Sequence, residues 1–128
     1  MIRITMDKAL HLHHMMAEAT GGSVGVREEG LLSSALEGAF GGFGDMEFYP
    51  TLAEKGARLG YTLIANHAFV DGNKRIGIFI MLTFLAVNGL HISCTNDDII
   101  AIGLGVADGS MSYEALLEWV RAHTEEQQ

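Results

Sequence analysis

The chain is 128 residues long, enough for one domain with a real core, and 48% of it is apolar, within the globular range. A net charge of −8 and a pI near 5.0 argue against direct nucleic-acid binding, which needs a basic surface. Cys94 is the sole cysteine, so there is no disulfide framework and no C-x-x-C metal or redox motif, and a cytoplasmic protein is the simplest reading.

The opening M-I-R-I-T-M-D-K-A-L has no apolar core region and no small-residue cleavage site, so no signal peptide is expected. Thr5 can cap a first helix that runs to about Thr20, where Gly21 and Gly22 stop it and a loop continues to Val26. A second helix is predicted over Glu28–Phe40, with Leu31, Leu32, Ala35, Leu36 and Ala39 on its apolar side. Gly41–Tyr49 reads as a glycine-rich loop around Phe43, Phe48 and Tyr49. Thr51 with Glu54 forms a capping-box pattern for a helix to about Asn66. Asn73–Val87 is a proline-free apolar helix closed by Asn88-Gly89. His91–Cys94 is a short extended stretch. Thr95 with Asp98 opens a helix to Ala107, ended by Asp108-Gly109. Ser112 caps a last helix to about His123, and residues 125–128 should fray.

Ile76–Val87 is too short to span a bilayer, which takes about 20 apolar residues, and it is hydrophobic on all sides. Such a helix is enclosed by other helices, so no membrane partner is expected. The fold class predicted is all-α: about six helices in one domain, residues 1–128, around Asn73–Val87.

Residues His67 to Arg75 read H-A-F-V-D-G-N-K-R and concentrate the chemistry of the chain. A turn that opens a helix is an anion site, because the first-turn amides lack partners and the helix dipole favours negative charge. Gly72 permits close backbone approach, and Asn73 can cap the helix. Lys74 and Arg75 add positive charge where the dipole disfavours it, which is easier to understand if an anion sits there. Asp71 is a hard oxygen ligand suited to Mg²⁺, which favours one or two carboxylates plus phosphate oxygens. His67 is the natural general base, although a histidine met alone would be read as structural. Phosphate, metal and base within one stretch indicate nucleotide chemistry.

This stretch resembles the Fic/Doc (Fido) signature H-x-F-x-[D/E]-[G/A]-N-[K/G]-R, with Lys74 similar to the death-on-curing (Doc) branch. The runs Gly21–Leu36, Tyr49–Ala57 (Y-P-T-L-A-E-K-G-A) and Thr83–Gly89 (T-F-L-A-V-N-G) are also similar to Doc text, so the resemblance covers most of the chain. It implies a compact Fido-type helical bundle in which His67, Asp71, Lys74 and Arg75 are catalytic. Gly72, Asn73, Lys74 and Arg75 would hold the phosphates of ATP, and Asp71 would hold Mg²⁺. Phe69 would anchor the motif to the core.

Adenylyl-transferring members of the family carry glycine where Lys74 stands and a second arginine where Ile78 stands. Both departures match Doc, in which the γ-phosphate is transferred. The resemblance therefore implies a toxin that phosphorylates a Ser/Thr hydroxyl of a target protein, translation elongation factor Tu, and is restrained by a cognate antitoxin. AMP transfer and a catalytically silent binding module are the alternatives.

Other features carry less. His11 and His14 share a helical face, but no acidic or cysteine partner is evident for a metal site. Ser33–Gly38 fits the loose S-x-x-x-E-G pattern of Fic inhibitory helices, yet it equally resembles the ordinary second helix of Doc. Glycines at 41, 42 and 44 and at 103 and 105 match neither a P-loop nor a dinucleotide fingerprint.

Overall fold

The computed structural model describes residues 1–20, 29–66 and 73–124. Among these, six helices make up the architecture: α1 Met6–Thr20, α2 Glu29–Phe40, α3 Leu52–Ala65, α4 Asn73–Val87, α5 Asn96–Asp108 and α6 Tyr113–His123. The all-α expectation holds, and the predicted caps explain where the helices start. Thr5 Oγ1 accepts the Lys8 amide at 3.2 Å, and Ser112 Oγ accepts that of Ala115 at 3.1 Å. Thr95 and Asp98 form a complete box, with Asp98 N–H on Thr95 Oγ1 at 3.1 Å and Thr95 N–H on Asp98 Oδ2 at 3.0 Å. The box expected at Thr51 is only half formed. Thr51 Oγ1 accepts the Glu54 amide at 3.1 Å, but its hydroxyl donates to Glu54 Oε1 at 2.8 Å, so the carboxylate is taken by the hydroxyl. Gly89, at φ 89°, closes α4: Leu90 N–H donates to Leu85 O at 2.8 Å and Gly89 N–H to Ala86 O at 3.0 Å.

Two segments depart from the predicted pattern. Residues 41–49, expected as a loop, contain an antiparallel hairpin of β1 Gly42–Phe43 and β2 Met46–Glu47. Strands of two residues are too short to show an alternating pattern, which is why the sequence hides them. The extended stretch after α4 has a partner: Ile92 bridges Thr124, and Ser93 N–H donates to His123 O at 2.8 Å.

The core sits around α4. Ile76, Ile78, Ile80, Met81, Phe84 and Leu85 are fully buried, and α4 packs against α1, α3 and α5. Its last turn is the exception, since Ala86 and Val87 are exposed. Against α3 the packing is close and has a register. A Cβ on Gly56 would stand 2.7 Å from Leu85 Cδ2, and one on Gly60 would stand 3.0 Å from Met81 Sδ. A Cβ on Gly77 would stand 2.6 Å from Ile64 Cγ1. The partners step by four residues in opposite directions, so the two helices interlock antiparallel with a glycine at every rung.

Asn88 ties the start of the chain to the end of α4. Its Oδ1 accepts Ile2 N–H at 2.6 Å, and its Nδ2 donates to Ile2 O at 2.8 Å and Phe84 O at 2.9 Å.

Two glycine substitutions should have opposite signs. Gly38 in α2 has no atom within 4 Å of a built Cβ, so Gly38→Ala should stabilise by about 0.5–1 kcal/mol. At Gly77 the same propensity gain, about 1 kcal/mol, meets an overpacking cost of about 1–3 kcal/mol, so Gly77→Ala should destabilise. In an Ile64→Ala background that loss should shrink or reverse. Urea denaturation of the single and double variants measures all three.

Candidate functional site

The predicted site divides between described and undescribed residues. His67, Phe69, Asp71 and Gly72 lie outside the described residues. Asn73, Lys74 and Arg75 form the first turn of α4, where the backbone is described for all three and the Arg75 side chain is exposed. That turn contains no acidic residue, so none of its own side chains competes with an anion for its amides and the positive end of the dipole. Ile76 and Ile78 follow, both fully buried, and the Gly77–Ile64 rung lies one turn in. The start of α4 is thus fixed by core packing on α3. Residues 67–72 connect the two helices, whose ends at Asn66 and Asn73 the interlock positions.

Two side chains of α3 not anticipated as special are Lys55 and Arg58. Lys55 is 1% exposed, with Nζ 3.2 Å from Glu47 Oε1 and donating also to the Tyr49 carbonyl. An unpaired buried ammonium would cost several kcal/mol, so these two acceptors hold β2 and Tyr49 against α3. The signal was present: Lys55 falls on the i, i+4 stripe of Leu59 and Leu63, both buried.

Arg58 lies among three tyrosines. Its Cζ is 5.6 Å from the Tyr49 ring centroid, 5.7 Å from that of Tyr61 and 5.5 Å from that of Tyr113. Tyr113 meets Tyr49 edge-on at 5.5 Å and donates a long hydrogen bond to Glu54 O at 3.4 Å. Burial, then the nearby Glu54 carboxylate, pushes the Tyr113 phenol up to about 12.

The remaining candidates stay structural. His14, expected to lack an acidic partner, has one: its Nε2 is 2.9 Å from Glu18 Oε1. Among the described residues no group of three or more His, Cys, Asp or Glu side chains is arranged for a metal ion. Burial and the Asp98 carboxylate raise the Cys94 thiol above its ordinary range, which makes it a poor nucleophile. Glu37, of the S-x-x-x-E-G pattern, lines a cleft of about 410 Å³ with Arg3, Ile4 and Phe40. Phe40 packs on Phe84 at 5.2 Å, and Ile4 also lines a groove with Thr83 and Val87. This cleft lies toward the Val87 end of α4, opposite the end that Asn73 begins. That placement counts against an inhibitory role for Glu37.

Residues 3–85 match the Fic/DOC family, two thirds of the chain and the whole span from the N-terminal segment through α4. The chain belongs to the Fic/DOC family. It is similar to Toxin Doc of Mycolicibacterium smegmatis, at 39% identity over 79 residues, which cover 62% of this chain and 61% of that protein. The match therefore spans less than two thirds of that relative's length. Among the described residues, no helix is long and apolar enough to cross a membrane.

The tyrosine cluster of this Fic/DOC chain has an optical signature. Because the folded Tyr113 pKa, about 12, lies above its ordinary value of 10, the neutral phenol contributes stability that is complete below pH 10 and lost as pH rises through about 12. Absorbance titration near 295 nm should show one tyrosine ionising near pH 12, and Tyr113→Phe should remove that step. Loss of a different step in the variant would contradict the assignment.

Proposed function

We propose that this Fic/DOC chain is a Doc-like toxin that transfers the γ-phosphate of ATP to a Ser/Thr hydroxyl of a target protein. The single observation that carries the reading is the first turn of α4, which has two cations, no carboxylate and a core-locked backbone. Such a terminus fits an anionic phosphate chain, with Gly72 and Asn73 offering backbone amides and Lys74 and Arg75 offering charge.

His67 accepts the proton of the target hydroxyl as its oxygen attacks the γ-phosphorus. The phosphorus–oxygen bond to the β-phosphate breaks, and ADP leaves with that electron pair. Base assistance of this kind is worth about 10²–10⁴-fold. Asp71 would hold Mg²⁺, which when bound neutralises charge on the phosphates. Phosphate transfer is favoured over AMP transfer by Lys74 and Ile78. Where adenylyl-transferring relatives carry a second arginine, this chain has a fully buried isoleucine. The likeness to Toxin Doc supports the toxin reading and restraint by a cognate antitoxin. Elongation factor Tu as target, a consequent block in translation and a cytoplasmic setting are what the family resemblance implies.

With ATP labelled at the γ position, purified elongation factor Tu should become labelled, and with α-label it should not. Label arriving from the α position alone would replace the kinase reading with adenylylation.

Removing the base should separate chemistry from binding. His67→Ala should reduce transfer by about 10²-fold or more while ATP affinity and melting temperature change little, because the phosphate-holding groups lie elsewhere. A structural histidine would instead lower stability by about 1–3 kcal/mol and weaken everything together. A folded, ATP-binding variant with full transfer would remove His67 from the mechanism.

A further inference from the structure

α3 is packed against α2, α4, α5 and α6, and the residues it leaves toward solvent form one stripe: Glu54, Arg58, Tyr61, Thr62 and Ala65. That stripe ends beside Asn66, the residue before His67. Eight residues separate Arg58 from Asn66, about 12 Å of helix.

Three rings within 5.7 Å of one guanidinium do more than pack. Rings at this distance hold a guanidinium through cation–π attraction, while its charge and planar fork of donors remain suited to a carboxylate. Among the described residues Arg58 forms no ion pair with a carboxylate and no side-chain hydrogen bond to another described residue. The other half-buried or buried cation of α3, Lys55, is by contrast fully engaged by Glu47 and the Tyr49 carbonyl. The three rings hold the Arg58 side chain in place in advance, an arrangement that lowers the entropy cost of binding. The Tyr113 phenol, its pKa pushed up to about 12, adds no negative charge beside the cation, and Glu54, one turn away on the same stripe, forms no ion pair with it. The chain as a whole carries −8 and repels acidic surfaces, so a framed cation on the stripe that runs toward Asn66 is a localised point of attraction. Tyrosine and arginine together are also the residue types that dominate binding energy at protein interfaces.

We propose that Arg58, held by Tyr49, Tyr61 and Tyr113, docks a carboxylate side chain of the protein substrate and so helps to set which hydroxyl is presented to His67. The proposal rests on the reading that this chain modifies a protein hydroxyl. Arg58 is a specificity-determining residue here and takes no part in the chemical step.

The test uses the full chain, ATP labelled at the γ position and purified elongation factor Tu as the protein substrate. Arg58→Gln should raise the KM for the protein about 10-fold or more, the scale of a lost charge-assisted contact, with kcat and the KM for ATP unchanged. Arg58→Lys, which keeps the charge and the ring contacts but loses the planar fork, should fall between and guards against misfolding of the first variant. The wild-type KM should climb with salt, and that of Arg58→Gln should climb less. A merely structural role predicts something else: lower melting temperature and lower kcat with an unchanged KM for protein, which overturns the proposal. Unchanged KM with an altered oligomeric state assigns the cluster to contact between copies of this chain and overturns it too. Absence of transfer by the wild type defeats the parent reading and this one with it, whereas wild-type transfer with an unaltered KM in Arg58→Gln defeats this one alone.

Discussion

The close approach of α3 to α4 is the constraint on which the rest of the structure depends. Gly56, Gly60 and Gly77 each occupy a point where a methyl group would meet Leu85, Met81 or Ile64 at 3.0 Å or less. Interiors are packed to crystal-like density, so a contact of this kind cannot slide or rotate without moving many neighbours. The two helices therefore have a fixed register, and the fixed register places Asn66 and Asn73. The two helix ends that flank residues 67–72 are thus positioned by an apolar packing contact.

The outer layers follow from that pair. Lys55 uses the inner side of α3 to hold the hairpin and Tyr49, and Tyr49 in turn meets Tyr113 at the start of α6. At the far end of α4, Asn88 holds Ile2 by both its backbone groups, so the N-terminal segment is fastened where α4 closes. The acidic chain has only eight Lys and Arg residues, and these are not spread evenly as solubilising charge. Lys55 is buried in a pair, Arg58 is framed by rings, and Lys74 and Arg75 stand at a helix start. For Lys55, Lys74 and Arg75 the setting is one in which a cation is expensive to place, whereas the rings around Arg58 stabilise it.

Local chemistry was readable from residue order, and distant chemistry was not. The caps at Thr5, Thr95 and Ser112 and the closure at Gly89 involve atoms within a turn or two of one another, so a short window holds all the information. The apolar run of α4 announced a core helix for the same reason. The Asn88–Ile2 pairing spans 86 positions, and the Tyr113–Glu54 contact spans 59. No local pattern encodes either. The glycines of α3 and α4 were visible as letters, but a glycine spared for close packing looks like one spared for a turn until its neighbour is known. Lys55 was the readable exception, since helical spacing alone puts it on the buried stripe. Of the candidate site, the residue types and spacing of the motif were legible and the start of α4 was placed to the residue. The cluster around Arg58 was not, because Tyr49 and Tyr113 reach it from other parts of the chain.

The placement of Lys74 and Arg75 links function to stability. A cation in the first turn of a helix opposes the dipole by about 0.3–1 kcal/mol, and two in succession also repel each other. The fold tolerates this because Ile76 and Ile78, fully buried just beyond, anchor the turn by far more than that: each is worth about 1.5–3 kcal/mol of apolar burial. The cost of the cations is thus offset by the core, since the first turn itself contains no carboxylate. An anion that enters relieves the repulsion as it binds, so its affinity includes energy already present in the folded chain. By linkage the same ligand raises the stability of the fold, by an amount set by its concentration relative to its dissociation constant. A first turn with two cations and no carboxylate is what the proposed phosphate site would use, and the α3–α4 interlock holds the helix that carries it.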